Sequence, residues 1–212
     1  MRRWGVVVTT LYAVVIVCLI VPVAVLTPDV RLREVYQDWS TWGFVAILVA
    51  CQGTLLFLSV DTSQRPKPRT SIVLCYLITA VLFSFLAFSF VLCLVVAIKP
   101  SPGTLVERMS VPALWLAVAC GWAIPFYLLW RHSTTMVARA TSWLIKGSVL
   151  ELLIAVPAHV IVRRRNDCSA PVATGFGIYT GIAIMLLAFG PSVLFLYKKR
   201  IDQYADRKAA GK

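Results

Sequence analysis

The sequence predicts an all-α fold, a polytopic integral membrane bundle of six transmembrane helices. Three observations carry this reading. Of the 212 residues 59% are hydrophobic and only 14% charged, the apolar residues gather into six long runs, and each run is apolar on every side. A domain of this length has too little interior to hide so much apolar surface from water. A helix crosses a hydrocarbon layer about 30 Å thick with roughly 20 apolar residues at about 1.5 Å each. The strands of a membrane barrel would instead carry a polar residue at every second position.

The runs fall at residues 5–26, 42–60, 71–98, 111–130, 143–162 and 173–197, which makes residues 1–200 a single transmembrane domain and 201–212 a polar cytoplasmic tail. The first run follows Arg2 and Arg3, as the core of an export signal would. It is about twice the length of such a core and lacks a small-residue cleavage site before Thr27 and Pro28, so it is expected to remain as a helix. Residues 27–41 mix Asp29, Arg31, Arg33, Glu34 and Asp38 with Tyr36 and Trp39, the composition of a short amphipathic helix lying at the surface. The third run is longer than a bilayer requires and must tilt or project. Prolines break the chain in DTSQRPKPR at 61–69 and in KPSPG at 99–103, which read as turns. Trp4, Trp42, Trp130, Trp143 and Tyr197 stand at span ends as interfacial anchors. The sixth run carries Gly177 and Gly181 in GxxxG spacing, the mark of a helix-packing face.

If six spans alternate, fourteen of the 21 Lys and Arg share the side of the N-terminus, which predicts that both termini are cytoplasmic. The net charge of +12 is then that of cationic loops beside anionic lipid head groups, and the lipid bilayer is the first partner expected. Charges scattered over loops, with no folded basic domain to carry them, argue against nucleic acid. Arg163, Arg164 and Arg165 form the densest cationic cluster yet fall on the far side, where they would contact lipid phosphates or other anions. A re-entrant fifth run would return them to the cytoplasm, but would erase most of the asymmetry.

Cys18, Cys51, Cys75, Cys93 and Cys120 lie within spans, and no pair has the spacing of a metal or dithiol motif. Cys168, in the fifth loop, is expected to be free or intermolecular, with a bridge to Cys93 as the alternative. His132 and His159 fall at opposite ends of neighbouring spans, too far apart in depth to share a haem or metal. No cofactor and no metal are assigned.

Glu151 is the one acid inside a run. It lies about 12 Å into the membrane, where an ionisable side chain costs on the order of 2.5 to 3.5 kcal/mol, so it should face the interior and be protonated, hydrogen-bonded or paired. Gln52, midway along the second run, is the expected partner. The carbonyl of Leu153 is another, because Pro157 deprives it of its helical donor and should bend the helix. Ser148, Glu151, Ala155 and His159 share one helical stripe. Glu151 and His159 are about 12 Å apart along the axis, so only a file of water would join them in a proton path opening towards Arg163.

No catalytic constellation is complete, since His159 has no serine at matching depth and no cluster of acids could hold a metal-bound diphosphate. Three functions stay open. The first is a structural or accessory subunit of a larger membrane assembly, with Glu151 and Gln52 locking the second span to the fifth and other membrane subunits as partners. The alternative is a small transporter or proton-conducting module using Glu151 in a kinked helix. The third is a lipid-modifying membrane enzyme working at the arginine-rich surface.

Overall fold

A computed structural model describes residues 2–26, 32–61, 69–98, 111–130, 136–165 and 171–190, and among these Asp38 alone lies outside a helix. The turns at 62–68 and 99–103, His132, Cys168, the end of the last expected span and the 201–212 tail lie outside the described residues.

The helices are α1 (Arg2–Leu26), α2 (Leu32–Gln37), α3 (Trp39–Asp61), α4 (Arg69–Ile98), α5 (Val111–Trp130), α6 (Met136–Arg165) and α7 (Pro171–Gly190). Among the described residues, five have stretches long and apolar enough to cross a membrane, namely Gly5–Val25, Trp39–Leu56, Val73–Ile98, Arg139–Arg165 and Pro171–Gly190. The remaining expected span is α5, whose described apolar stretch is the shorter Ala117–Phe126. Helix continues through Pro22, Pro125 and Pro157.

Two boundaries differ from the sequence reading. The helix of the fifth run begins at Met136 and ends at Arg165, where 143–162 was expected. Nothing between 136 and 142 breaks a helix, and arginines in a last turn complement the negative end of the helix dipole. At about 1.5 Å per residue this continuous 30-residue helix leaves no place for a re-entrant turn within it. The surface helix expected in residues 27–41 is α2, and α3 starts directly behind it. The Asp38 amide donates to the Glu34 carbonyl at 3.1 Å and closes α2. Its carboxylate accepts from the Ser40 hydroxyl and, at 3.2 Å, from the Ser40 backbone N–H, which caps α3.

α7 is the central helix: 61% of its apolar window is buried, against 33% or less for the other four. It runs antiparallel to α1, joined by reciprocal bonds in which the Tyr12 hydroxyl donates to the Ala183 carbonyl at 3.0 Å and the Tyr179 hydroxyl to the Ile16 carbonyl at 3.3 Å. It runs parallel to α3, with the Phe44 ring 5.3 Å from Phe176 near one end and Gln52 beside Gly190 at the other. α4 and α6 close its opposite side through Ser89, Cys93, Glu151, Leu152 and Ala155. α5 packs outside α4, its Trp122 and Phe126 rings 4.6 and 5.5 Å from Phe83.

The outward stripes remain apolar. On α6 Ala140, Leu144, Ser148, Glu151, Ala155 and Val162 are buried, while Leu150, Leu153, Val156 and Val160 are exposed. In water such stripes would drive aggregation. Among acyl chains they are solvated, and the helices are held by close packing and interhelical hydrogen bonds.

Candidate functional site: a buried carboxyl between three helices

Twelve residues of α6 separate Glu151 from Arg139 on one side and from Arg163 on the other, about 18 Å each way. The carboxyl therefore stands midway along the helix, and its residue is only 1% exposed. α7 makes this enclosure by coming unusually close. A Cβ on Gly177 would lie 2.5 Å from the Cys93 sulfur and 3.1 Å from the Ser89 hydroxyl, both on α4. A Cβ on Gly181 would lie 3.0 Å from Leu152 Cγ and 3.2 Å from Glu151 Cγ, both on α6. The two glycines thus pack inside the bundle, one on each neighbour.

The enclosed polar groups are under-satisfied. Both carboxyl oxygens of Glu151 and the hydroxyls of Ser89 and Thr180 are buried with no hydrogen-bond partner among the described residues. Ser89 stands beside the carboxyl without reaching hydrogen-bond geometry. A lone carboxylate is strongly disfavoured in so apolar a place. A proton or a small cation on Glu151 would neutralise it, with the Ser89 oxygen near enough to serve as a further ligand or acceptor.

Gln52 does not meet Glu151. Its amide nitrogen lies where a Cβ on Gly190 would be 2.5 Å away, nine residues further along α7 than Gly181, a rise of about 13 Å. The cause is helix direction: α3 is parallel to α7 and follows its α1 side, so residue 52 meets the far end of α7. The Leu153 carbonyl is not a partner either. Leu153 is 65% exposed and points away from the stripe that carries Glu151, since two helical residues are about 200° apart.

The rest of the expected stripe is divided. The Ser148 hydroxyl donates to the Leu144 carbonyl at 2.8 Å within its own helix. His159 pairs with Thr174 of α7, Nδ1 to Oγ1 2.8 Å, and Thr174 donates at 3.2 Å to the Pro171 carbonyl, which makes Nδ1 the donor. Between Glu151 and His159 the stripe is filled: Ala155 is fully buried, its Cβ 3.3 Å from where a Cβ on Gly177 would stand, with Cys93 at the same level. This layer of small residues closes the water route that the sequence suggested. Cys93 is a free thiol within it, not a bridge. At the end of α6, Arg163 and Arg164 are exposed, while Arg165 donates to the Ala97 carbonyl at 2.8 Å and caps the end of α4.

Sequence reasoning missed Ser89 and Cys93 as neighbours of this carboxyl. Ser89 and Cys93 are one helical turn apart, a signal that was present. Which stripe of a wholly apolar run turns inward is decided by packing, and the run itself does not show it.

No family model, no curated protein and no solved structure matches the chain. Fold and site together define a class: an all-helical bundle with helices fit to cross a membrane and one carboxyl enclosed at its centre.

Proposed function

We propose that the chain is a multi-pass integral membrane protein with both termini in the cytoplasm, acting as a small transporter or proton-conducting module in which Glu151 takes up and releases a proton or small cation. One observation carries this reading: the Glu151 carboxyl is enclosed by α4, α6 and α7 with both oxygens unpartnered among the described residues. A purely structural carboxyl would be expected to hold a bond between helices, and the bond foreseen with Gln52 is too long to form. The helix-packing face of Gly177 and Gly181, which could have served either the bundle or another chain, is taken up within the bundle by α4 and α6. That leaves the accessory-subunit reading with less support than the sequence lent it.

Exchange at Glu151 requires α7 to part from its neighbours at the layer formed by Ala155, Gly177 and Cys93. In proteoliposomes carrying a pH gradient, wild type should dissipate the gradient and Glu151→Gln should lose at least about tenfold of that rate, since the amide cannot carry the proton. Equal rates in the two proteins would remove Glu151 from the mechanism.

A further inference from the structure

On the other side of α7, between the end of α1, α2 and the start of α3, lies a cavity of about 520 Å³. That size is within the range of small-molecule sites, roughly 300–1,000 Å³. Its wall is apolar and aromatic, with Ile20, Phe44 and Phe176 among the lining residues, and its charged lining residues are Glu34 and Asp38, both exposed. Among the described residues no Lys or Arg lines it.

We propose that this cavity binds the ammonium head of a single-chain amphiphile, with Glu34 and Asp38 supplying the countercharge and the Phe44 and Phe176 rings the apolar wall.

The charge pattern selects the head group. Asp38 keeps its negative charge because the Ser40 hydroxyl, and then the Ser40 backbone N–H, hold its carboxyl below the usual value of 3.8. Two carboxylates, with no Lys or Arg among the described lining residues, repel a carboxylate or phosphate head and attract a cation. The rings of Phe44 and Phe176, 5.3 Å apart, add the favourable contact that aromatic faces give an ammonium group. The apolar wall, to which Ile20 and Val23 of α1 contribute, takes the methylenes next to the head. A polar metabolite would leave that wall unused, and an uncharged lipid would leave the carboxylates unused.

The site is independent of Glu151. Phe176 and Tyr179 line it from one side of α7, while Gly177 and Gly181 meet α4 and α6 on the other. Failure of either idea therefore leaves the other standing.

The test uses the full chain in phosphatidylcholine nanodiscs, titrated with dodecylammonium, dodecanol and dodecanoate, with empty discs subtracted to remove partitioning into lipid. Dodecylammonium should bind saturably and at least about fivefold more tightly than dodecanol, dodecanoate should not compete, and Glu34→Gln should weaken dodecylammonium at least about fivefold while leaving dodecanol unchanged. Glu34 is exposed on α2, so the variant should keep its helical content, which circular dichroism checks. Equal binding of dodecanol and dodecylammonium, or undiminished binding by folded Glu34→Gln, would overturn the proposal.

Discussion

At Gly177 one missing methyl group sets how closely α7 approaches α4. A Cβ there meets the Cys93 sulfur at 2.5 Å, and that sulfur is itself fully buried, so it has little room to yield. Overpacking of this kind typically costs about 1–3 kcal/mol. At Gly190 the nearest atom is also 2.5 Å away, but it is the tip of the Gln52 amide, which can swing aside on its flexible stem. Gly177→Ala should therefore lower stability more than Gly190→Ala in a denaturing-detergent titration. Adding Cys93→Ala to Gly177→Ala should recover much of the loss, because it removes the clashing sulfur. If the two glycine variants lose equal stability, or the second substitution gives no recovery, the contact does not set the helix spacing.

Among the elements, the junction of α2 and α3 rests on one charged cap. Hydrogen bonds from Ser40 lower the Asp38 pKa in the folded chain. A group whose folded pKa is depressed stabilises the fold above its unfolded value, and that contribution disappears as pH falls through the folded value. Asp38→Asn keeps a capping oxygen but no charge. Wild type should thus have the higher thermal midpoint in detergent at pH 6, and the gap should narrow as pH falls below the ordinary carboxylate value. A gap that persists unchanged at the lower pH would show that charge is not its source. The same junction shows what the sequence could and could not reveal. The mixed charged and aromatic residues of 27–41 announced a surface helix, and hydropathy placed most of the long helices to within a few residues, because in an apolar solvent a continuous run must be helical to satisfy its backbone. The start of α6 was lost because polar residues at its entry do not look like membrane, although they are compatible with helix. Glu151 and the glycines stood out by residue type. Their neighbours did not, since pairing across helices depends on direction and rotation: a parallel α3 carried Gln52 to Gly190 and away from Glu151.

For the whole molecule, alternation of helix direction gathers the ends of α1, α4 and α6, the starts of α3 and α7, and α2 at one end of the bundle. Three contacts tie that end together: Tyr36 donates to the Val17 carbonyl at 3.1 Å, Arg165 to the Ala97 carbonyl at 2.8 Å, and His159 pairs with Thr174. Arg139, exposed near the start of α6, belongs to the opposite end. Asp38 and Arg164 must then share one side of any membrane the bundle spans, and Arg139 the other. In the proposed orientation, which follows the excess of Lys and Arg beside the N-terminus, the Arg139 side faces the cytoplasm. Single cysteines placed at 38, 139 and 164 in an otherwise cysteine-free chain convert this into a labelling experiment on intact cells with a membrane-impermeant maleimide. Positions 38 and 164 should label from outside, and 139 only after permeabilisation. The reverse pattern would keep the bundle and invert its orientation, turning the arginine end of α6 and the acidic cavity towards the cytoplasm. Labelling of 38 and 164 from different sides would mean that α6 and α3 do not cross as the packing requires, and the enclosure of Glu151 at mid-depth would fall with it.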